Sequence, residues 1–179
     1  MMLEKIAGPV EIATERFTLR AVRRSDVGLF AMYAGDRRVA EATQGIPHPL
    51  PPGAADAFVT RAMATGTDED IWVMDGSRSG LAEVLGVISL KKMDRAQSEV
   101  AFWVAPAFWN LGIASEAVQA LVAANPQSDK TMFAEAFQDN PQSARVLTNA
   151  GFQYLGDAES FSVARNTCVP TWTYVKKLG

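Results

Sequence analysis

Cysteine is almost absent from this 179-residue sequence, in which Cys168 stands alone and no intrachain disulfide can form. That usage is typical of a reducing compartment, so we expect a cytoplasmic protein. Long apolar runs are absent too. Met1 to Val10 lacks the apolar core of a signal peptide, and nothing approaches the roughly 20 apolar residues of a membrane span. We therefore expect no membrane partner.

Basic runs and metal-ligand patterns are also absent. A net charge of −3 and a pI near 5.2 argue against nucleic acid as the main partner. With one histidine and one cysteine, no zinc-type ligand spacing exists, and we expect no metal. Neither the P-loop pattern G-x-x-x-x-G-K-S/T nor a G-x-G-x-x-G fingerprint at a strand–helix junction is present. These absences exclude the commonest nucleotide-binding classes.

The remaining composition is that of a soluble globular protein, with 48% apolar and 21% charged residues. The chain, 1–179, is predicted to be one domain with its core at about 14–178. Periodicity and turn residues predict the order β-α-α-β-β-β-α-β-α-β-β, an α/β mixed sheet with helices on both faces. The predicted elements are strand 16–22, a helix from Ser25 to Ala34, helix 54–64, strands 71–74, 85–92 and 99–104, a helix from Gly112, strand 131–137, a helix between Asn140 and Gly151, and closing strands within 154–178.

The most informative segment runs from Phe108 to Ala117 and opens the helix after strand 99–104. The apolar stripe of that helix consists of Ala114, Ala117, Val118, Leu121 and Val122. Gly112 stands at the mouth of the helix, where the first N–H groups lack intrahelical partners. Such groups, with the helix dipole, favour an anion such as phosphate. A tight strand-to-helix turn without a ligand is the alternative.

Three segments carry a resemblance to a known family. Trp109-Asn-Leu-Gly112-Ile-Ala114 resembles the pyrophosphate-binding turn, Q/R-x-x-G-x-G/A, of the GNAT superfamily of N-acetyltransferases. Trp in the first position is common in the RimJ/RimL-like branch, which acetylates ribosomal-protein N-termini. Residues 140–152 resemble the N-x-x-S-x-R-V-L-x-x-x-G-F segment of that branch, and 14–20 resemble its opening strand. The resemblance implies a single-domain GNAT fold, with a mostly antiparallel twisted sheet and a splayed central strand pair.

The resemblance also implies a reaction, the transfer of acetyl from acetyl-CoA to a primary amine by direct attack. The amine would be a protein N-terminus or a small molecule, and no metal would be needed. The implied acetyl-CoA-binding residues are Trp103, Val104, Trp109, Asn110, Leu111, Gly112, Ile113, Ala114, Ser115 and Asn140. Leu111 stands where many relatives carry a basic residue, so charge assistance to the phosphates is expected to be weaker here.

Glu99 and Ser143 are the implied catalytic residues. Glu99 matches a carboxylate that removes the proton of the amine, with Asp139, Asp157 and Glu159 as alternatives; Ser143 matches a serine near the sulfur of CoA. Local structural roles are the alternatives: a surface carboxylate for Glu99, a helix N-cap for Asn140 and a backbone contact for Ser143.

A second function stays open at this point. A non-catalytic acyl-CoA-binding or sensing module would keep the phosphate turn and lack a competent base. The missing Gln or Arg at Trp109 and the apolar Leu111 are compatible with such a module. A homodimer is also compatible with the resemblance.

Overall fold

One twisted sheet organises residues 8–179, the part of the chain that the computed structural model describes. The prediction about a signal peptide in Met1 to Val10 falls mostly outside this range. The strands are β1 Ile12–Ala13, β2 Thr18–Ala21, β3 Glu69–Asp75, β4 Gly86–Met93, β5 Gln97–Val104, β6 Thr131–Phe137, β7 Gln153–Ser162 and β8 Thr167–Lys177. The helices are α1 Val27–Ala34, α2 Arg37–Ala42, α3 Ala54–Met63, α4 Ile113–Ala124 and α5 Pro141–Asn149. The eight strands of the described range lie in the order β1-β2-β3-β4-β5-β6-β8-β7.

The two faces of the sheet are covered by different helices, as predicted. Alternation along β3 separates the two cores, because successive side chains of a strand point to opposite faces. Ile71 and Val73 pack with Val59 of α3 in a core that also contains Phe30 of α1. Trp72 lies in the other core, which α4 and α5 cover. No helix of the described residues is both long enough and apolar enough to cross a bilayer.

The central strands β5 and β6 form the parallel pair of the sheet and separate along their length. Their register runs from Gln97 opposite Thr131 to Glu99 opposite Phe133 and then ends. β5 nevertheless stays paired with β4 as far as Val104. The peptide groups of β5 beyond Glu99 therefore border a wedge-shaped opening. This geometry confirms the splayed strand pair that the resemblance implies, and it positions the site described below.

Two elements were not predicted. β1 has only two residues, too few for a visible alternation. α2 lies in the segment between the predicted helices and is also short, with Val39 and Ala40 as its buried residues. Its sequence signal is Asp36, whose side chain accepts a hydrogen bond from the Arg38 N–H at 2.9 Å, an N-cap geometry. This helix matters for function because it lies beside the glycine turn.

Candidate active site

The turn before α4 presents a row of unused main-chain donors. Asn110 and Gly112 both have left-handed backbone conformations, with φ of 63° and 75°. Helical hydrogen bonding starts with the Glu116 N–H, which donates to the Gly112 carbonyl at 3.1 Å. The N–H groups from Asn110 to Ser115 have no acceptor within residues 8–179. Residues 109–112 are exposed, so an anion has access to these donors.

Trp109, at the position of the motif Gln or Arg, closes this turn against the sheet. Its indole N–H donates to the Val104 carbonyl at 2.7 Å, which fixes the turn at the end of β5. The guanidinium of Arg38, from α2, lies over the indole ring at 5.6 Å from its centroid. This contact is a cation–π interaction. Sequence reasoning missed Arg38, because its contact with Trp109 exists only in the folded chain.

A cavity of about 430 Å³, the turn-side cavity, collects most of the predicted acetyl-CoA-binding residues. It is lined by Trp103, Val104, Trp109, Asn110, Gly112, Ile113, Ala114, Ser115 and Asn140, together with Ser143, Arg38 and Arg145. Leu111 is the exception, because its half-exposed side chain does not line the cavity. Three arginines line it, of which Arg38 is paired with Asp36 and Arg165 with Asp139, whereas Arg145 forms no salt bridge within the described residues.

The main chain of β5 presents Phe102 and Val104 to the wedge. The Ala105 N–H donates to Leu85, on the β4 side of the strand, at 2.8 Å. Since peptide groups alternate in direction along a strand, those of Trp103 also face β4. The groups of Phe102 and Val104 face the opening. Of the two β5 residues that the resemblance implies for CoA binding, Val104 therefore has its main-chain groups at the opening, whereas those of Trp103 are used by β4.

The Trp103 side chain has a packing role. Its ring makes edge contacts with Phe30 and Tyr33, at centroid distances of 6.4 and 6.3 Å. Identifying Phe102 from sequence would have required the strand register, which the residue pattern does not carry.

The start of α5 places Asn140 and Ser143 between the two arms of the wedge. The Asn140 side-chain oxygen accepts from the Ser143 N–H at 3.4 Å, so the predicted N-cap is present. The Asn140 amide lies 3.0 Å from the Ser143 hydroxyl oxygen, within hydrogen-bond distance. The capping residue therefore also orients the hydroxyl that the resemblance places near sulfur.

A second cavity of about 490 Å³, the loop-side cavity, lies on the face of the sheet that α1 and α3 cover, beneath the proline-rich loop 45–53. Glu99 and Ser143 both line it. Phe102, Trp103 and Ser143 line both cavities, so the two meet at the wedge. Residues from α2, β5, the glycine turn and α5 thus surround one continuous site.

Glu99 lies where the strands separate and is partly buried. Burial raises the pKa of its carboxyl, and the neighbouring carboxylate of Glu135 raises that pKa further. Lys91, opposite Glu99 in β4, opposes this effect. A carboxyl with a raised pKa is a better proton acceptor than an ordinary surface carboxylate. Glu99 therefore has the position and the electrostatics of a general base.

The alternative carboxylates are less suited to that role. Asp139 forms an ion pair with Arg165, and this hydrogen bond holds its pKa below the ordinary value. Asp157 accepts a hydrogen bond from the Tyr154 hydroxyl on the exposed strand β7. Neither Asp157 nor Glu159 lines either cavity. Among the described residues, no group of three His, Cys, Asp or Glu side chains has the arrangement of a metal site.

A family profile described as "Acetyltransferase (GNAT) domain" matches residues 16–153 of the sequence. The chain belongs to the GNAT acetyltransferase family. The match covers most of the chain, from two residues before β2 to the start of β7, and so includes the whole wedge. The fold class implied by the sequence is thereby confirmed.

Solved structures share the GNAT fold over nearly the whole chain. RimL, a ribosomal L7/L12 α-N-protein acetyltransferase solved in complex with coenzyme A, matches with a TM-score of 0.80 and 16% identity, covering 94% of this chain and 98% of its own. Mycobacterium smegmatis RimJ, in complex with CoA-disulfide, gives 0.79 and 16%, covering 94% and 88%. A spermidine N-acetyltransferase from Vibrio cholerae, in complex with CoA and spermine, gives 0.75 and 14%, covering 91% and 96%.

At these identities the likeness establishes the fold alone. Members of the predicted RimJ/RimL-like branch are among the structures that share it. Their acceptors differ, a ribosomal protein in one and a polyamine in another, so the fold does not select between acceptors. No curated protein sequence matches this chain at a significant level.

Proposed function

We propose that this GNAT protein transfers an acetyl group from acetyl-CoA to a primary amine. CoA would occupy the turn-side cavity and the amine the loop-side cavity. The observation that carries the proposal is the convergence of the glycine turn, the open edge of β5 and Ser143 on a wedge that joins both cavities. The reaction belongs in a reducing compartment such as the cytoplasm, as the lone cysteine suggests.

The turn-side cavity has the chemistry that CoA requires. The free N–H groups of 110–115 suit a diphosphate, and the left-handed Gly112 has no side chain that would keep a phosphate from the backbone. Arg145 and Arg38, the latter also paired with Asp36, line the same cavity and would supply charged donors to the phosphates where Leu111 supplies none. Acetyl-CoA, when bound, supplies an activated thioester.

The residues at the wedge would divide the chemistry. The Val104 N–H, at the open edge of β5, donates to the thioester oxygen as negative charge develops there. The ammonium group first passes one proton to Glu99, directly or through water, which frees the lone pair of the nitrogen. The neutral nitrogen then bonds to the acetyl carbon, the carbon–sulfur bond breaks, and the second proton that the nitrogen loses passes to water. The Ser143 hydroxyl donates a proton to the departing thiolate and regains one from solvent.

The acceptor amine determines how much work the base must do. At pH 7 a lysine-type ammonium costs roughly 4–5 kcal/mol to deprotonate, whereas an α-amine with a pKa near 8 costs only about 1 kcal/mol. A single carboxylate with a raised pKa is sufficient to deprotonate an α-amine, and it contributes only modestly to the deprotonation of a lysine-type ammonium. The proposal therefore covers small amines and N-terminal α-amines alike.

Thiol release from acetyl-CoA, measured over a panel of amines and N-terminal peptides, tests the proposal. Acceptor-dependent thiol release should be lost or strongly reduced in Glu99→Gln and Ser143→Ala. Asp157→Asn, on exposed β7, is the matched control and should leave turnover unchanged. Tight CoA binding without acceptor-dependent release would instead indicate a non-catalytic acyl-CoA sensor. Absence of CoA binding would contradict both functions.

A further inference from the structure

The loop-side cavity has mainly apolar walls. Side chains from α1, α3, the proline-rich loop, β3 and β5 form them: Phe30, Ile46, Leu50, Phe58, Ile71 and Trp103. Phe58 makes an edge contact with Phe30 at a centroid distance of 5.3 Å, which fixes both rings. The volume of about 490 Å³ is that of a site for one small molecule. Such walls favour a ligand with an apolar body.

Three carboxylates line this cavity, Glu69 on β3, Glu99 on β5 and Glu135 on β6, and the last two belong to the strands that form the wedge. Glu99 and Phe133 are register partners, so Glu135, two residues further along β6, projects from the same face as Glu99. Both glutamates line the cavity. The Glu135 carboxylate accepts hydrogen bonds from the amide of Gln44 and the hydroxyl of Ser160. Because both donors are neutral, they orient the Glu135 carboxylate but do not compensate its negative charge.

The cations nearby compensate this charge only in part. Arg61 is the cation that lines the cavity, and its guanidinium lies over the Phe58 ring at 5.3 Å. Lys91 stands between Glu69 and Glu99 in the register of β3, β4 and β5, with its side chain exposed. Within residues 8–179, Glu99 and Glu135 form no salt bridge. A single ammonium group at the wedge would relieve the repulsion between them.

We propose that the acceptor is a compact monoamine on an apolar skeleton, aromatic or branched aliphatic. Its ammonium group lies between Glu99 and Glu135, and its body lies against Phe58 and the proline-rich loop. This inference rests on the proposed function, because it describes the acceptor half of the same site. Glu69 already faces Lys91 across the β3–β4 pair, so the further charges of a polyamine would lie against apolar walls. An extended peptide would leave polar backbone groups there without partners.

Matched acceptors test the inference by thiol release. We expect kcat/KM for 2-phenylethylamine to exceed that for ethylamine, spermidine and an alanine-initiated hexapeptide by at least about 10-fold, since burial of a phenyl group contributes that much affinity. Equal or greater kcat/KM for spermidine or the peptide would overturn the inference and leave the acetyltransferase function intact. If no amine is acetylated, calorimetry of 2-phenylethylamine with the CoA-bound protein decides, and absence of heat overturns the inference.

Two variants locate the acceptor within the cavity. Glu135→Gln should raise KM for 2-phenylethylamine about 10-fold and leave KM for acetyl-CoA unchanged, because one charge-assisted contact is lost. Glu11→Gln, exposed and distant from the cavity, is its control. Phe58→Leu should reduce kcat/KM for 2-phenylethylamine and spare ethylamine, whereas Phe161→Ala on β7 should affect neither. Equal loss for both amines in Phe58→Leu would contradict the assigned position, and thermal melts identify a variant that fails to fold.

Discussion

Arg38 is the residue of α2 that would contact the phosphates in the proposed site, although its guanidinium also pairs with Asp36 at 2.8 Å. In the proposal it replaces the charge that the family motif carries at the position of Trp109 or Leu111. A charge-assisted contact with phosphate contributes about 1.5–3 kcal/mol, so Arg38→Ala should raise KM for acetyl-CoA about 10-fold or more. Arg37→Ala, an exposed neighbour that lines neither cavity, is the matched control. Equal KM values for acetyl-CoA in the two variants would show that Arg38 does not contact the phosphates.

The proposed role of Glu99 as the general base predicts how the rate depends on pH. Because burial and Glu135 raise its pKa, the wild-type rate should increase as pH rises through a value above the ordinary 4.5. Glu99→Gln should lose this step, whereas Glu69→Gln, which lines the same cavity, should keep it. Profiles of kcat/KM against pH measure the difference. A step that persists in Glu99→Gln would assign the base elsewhere.

The raised pKa of Glu99 also makes the free energy of unfolding depend on pH. A carboxyl whose pKa is raised in the folded state binds its proton more tightly in the native than in the unfolded protein. Its contribution to the free energy of unfolding therefore declines as the pH rises from 4.5 through the folded-state pKa. Glu99→Gln should therefore unfold at higher denaturant than wild type at pH 7, and the difference should shrink on acidification. A less stable Glu99→Gln at pH 7 would contradict the raised pKa.

Among the elements, α5 starts with a residue, Asn140, that both caps the helix and contacts Ser143 of the proposed site. Asn140→Ala removes the cap and should destabilise the protein by about 1 kcal/mol. Asn140→Asp keeps a capping oxygen and removes the amide next to the Ser143 hydroxyl, so stability should stay close to that of wild type while kcat falls. Urea unfolding and steady-state kinetics separate the two effects. Equal kcat in Asn140→Asp and wild type would make Asn140 a cap only.

Some helices and strands could be predicted from the sequence, whereas others could not. The boundaries of β6 and the capped start of α5 were predicted closely, because alternation and Asn-Pro are local signals. The short helix α2 has too few residues for an apolar stripe. Which peptide groups of β5 face the wedge depends on pairing with β4, and the contact of Arg38 depends on how α2 packs. Tertiary geometry, not local pattern, decides those features.

At the scale of the whole molecule, a buried ion cluster links the first strands to the entry of α1. The guanidinium of Arg20 binds both oxygens of Asp26, at 2.8 and 2.9 Å, and contacts Asp75 at 2.6 Å. Removal of one partner from a buried pair leaves charge uncompensated, so Asp26→Asn should cost about 3 kcal/mol in urea unfolding. Asp36→Asn breaks the exposed salt bridge with Arg38 but keeps a side chain that can cap α2, so it should lower the free energy of unfolding by less than about 1 kcal/mol. Similar decreases in the free energy of unfolding in the two variants would contradict the stabilising role of the buried ion cluster.

In the proposed function, the main-chain amides of Asn110 to Ser115, in the turn and first residues of α4, bind the diphosphate of CoA. At 19.3 kDa the protein suits amide-resolved ¹H–¹⁵N NMR during a titration with CoA. We expect the amide resonances of Asn110 to Ser115 to show the largest shifts, with smaller changes at Phe102 and Val104. Unchanged resonances of 110–115 in a CoA-saturated sample would contradict the account.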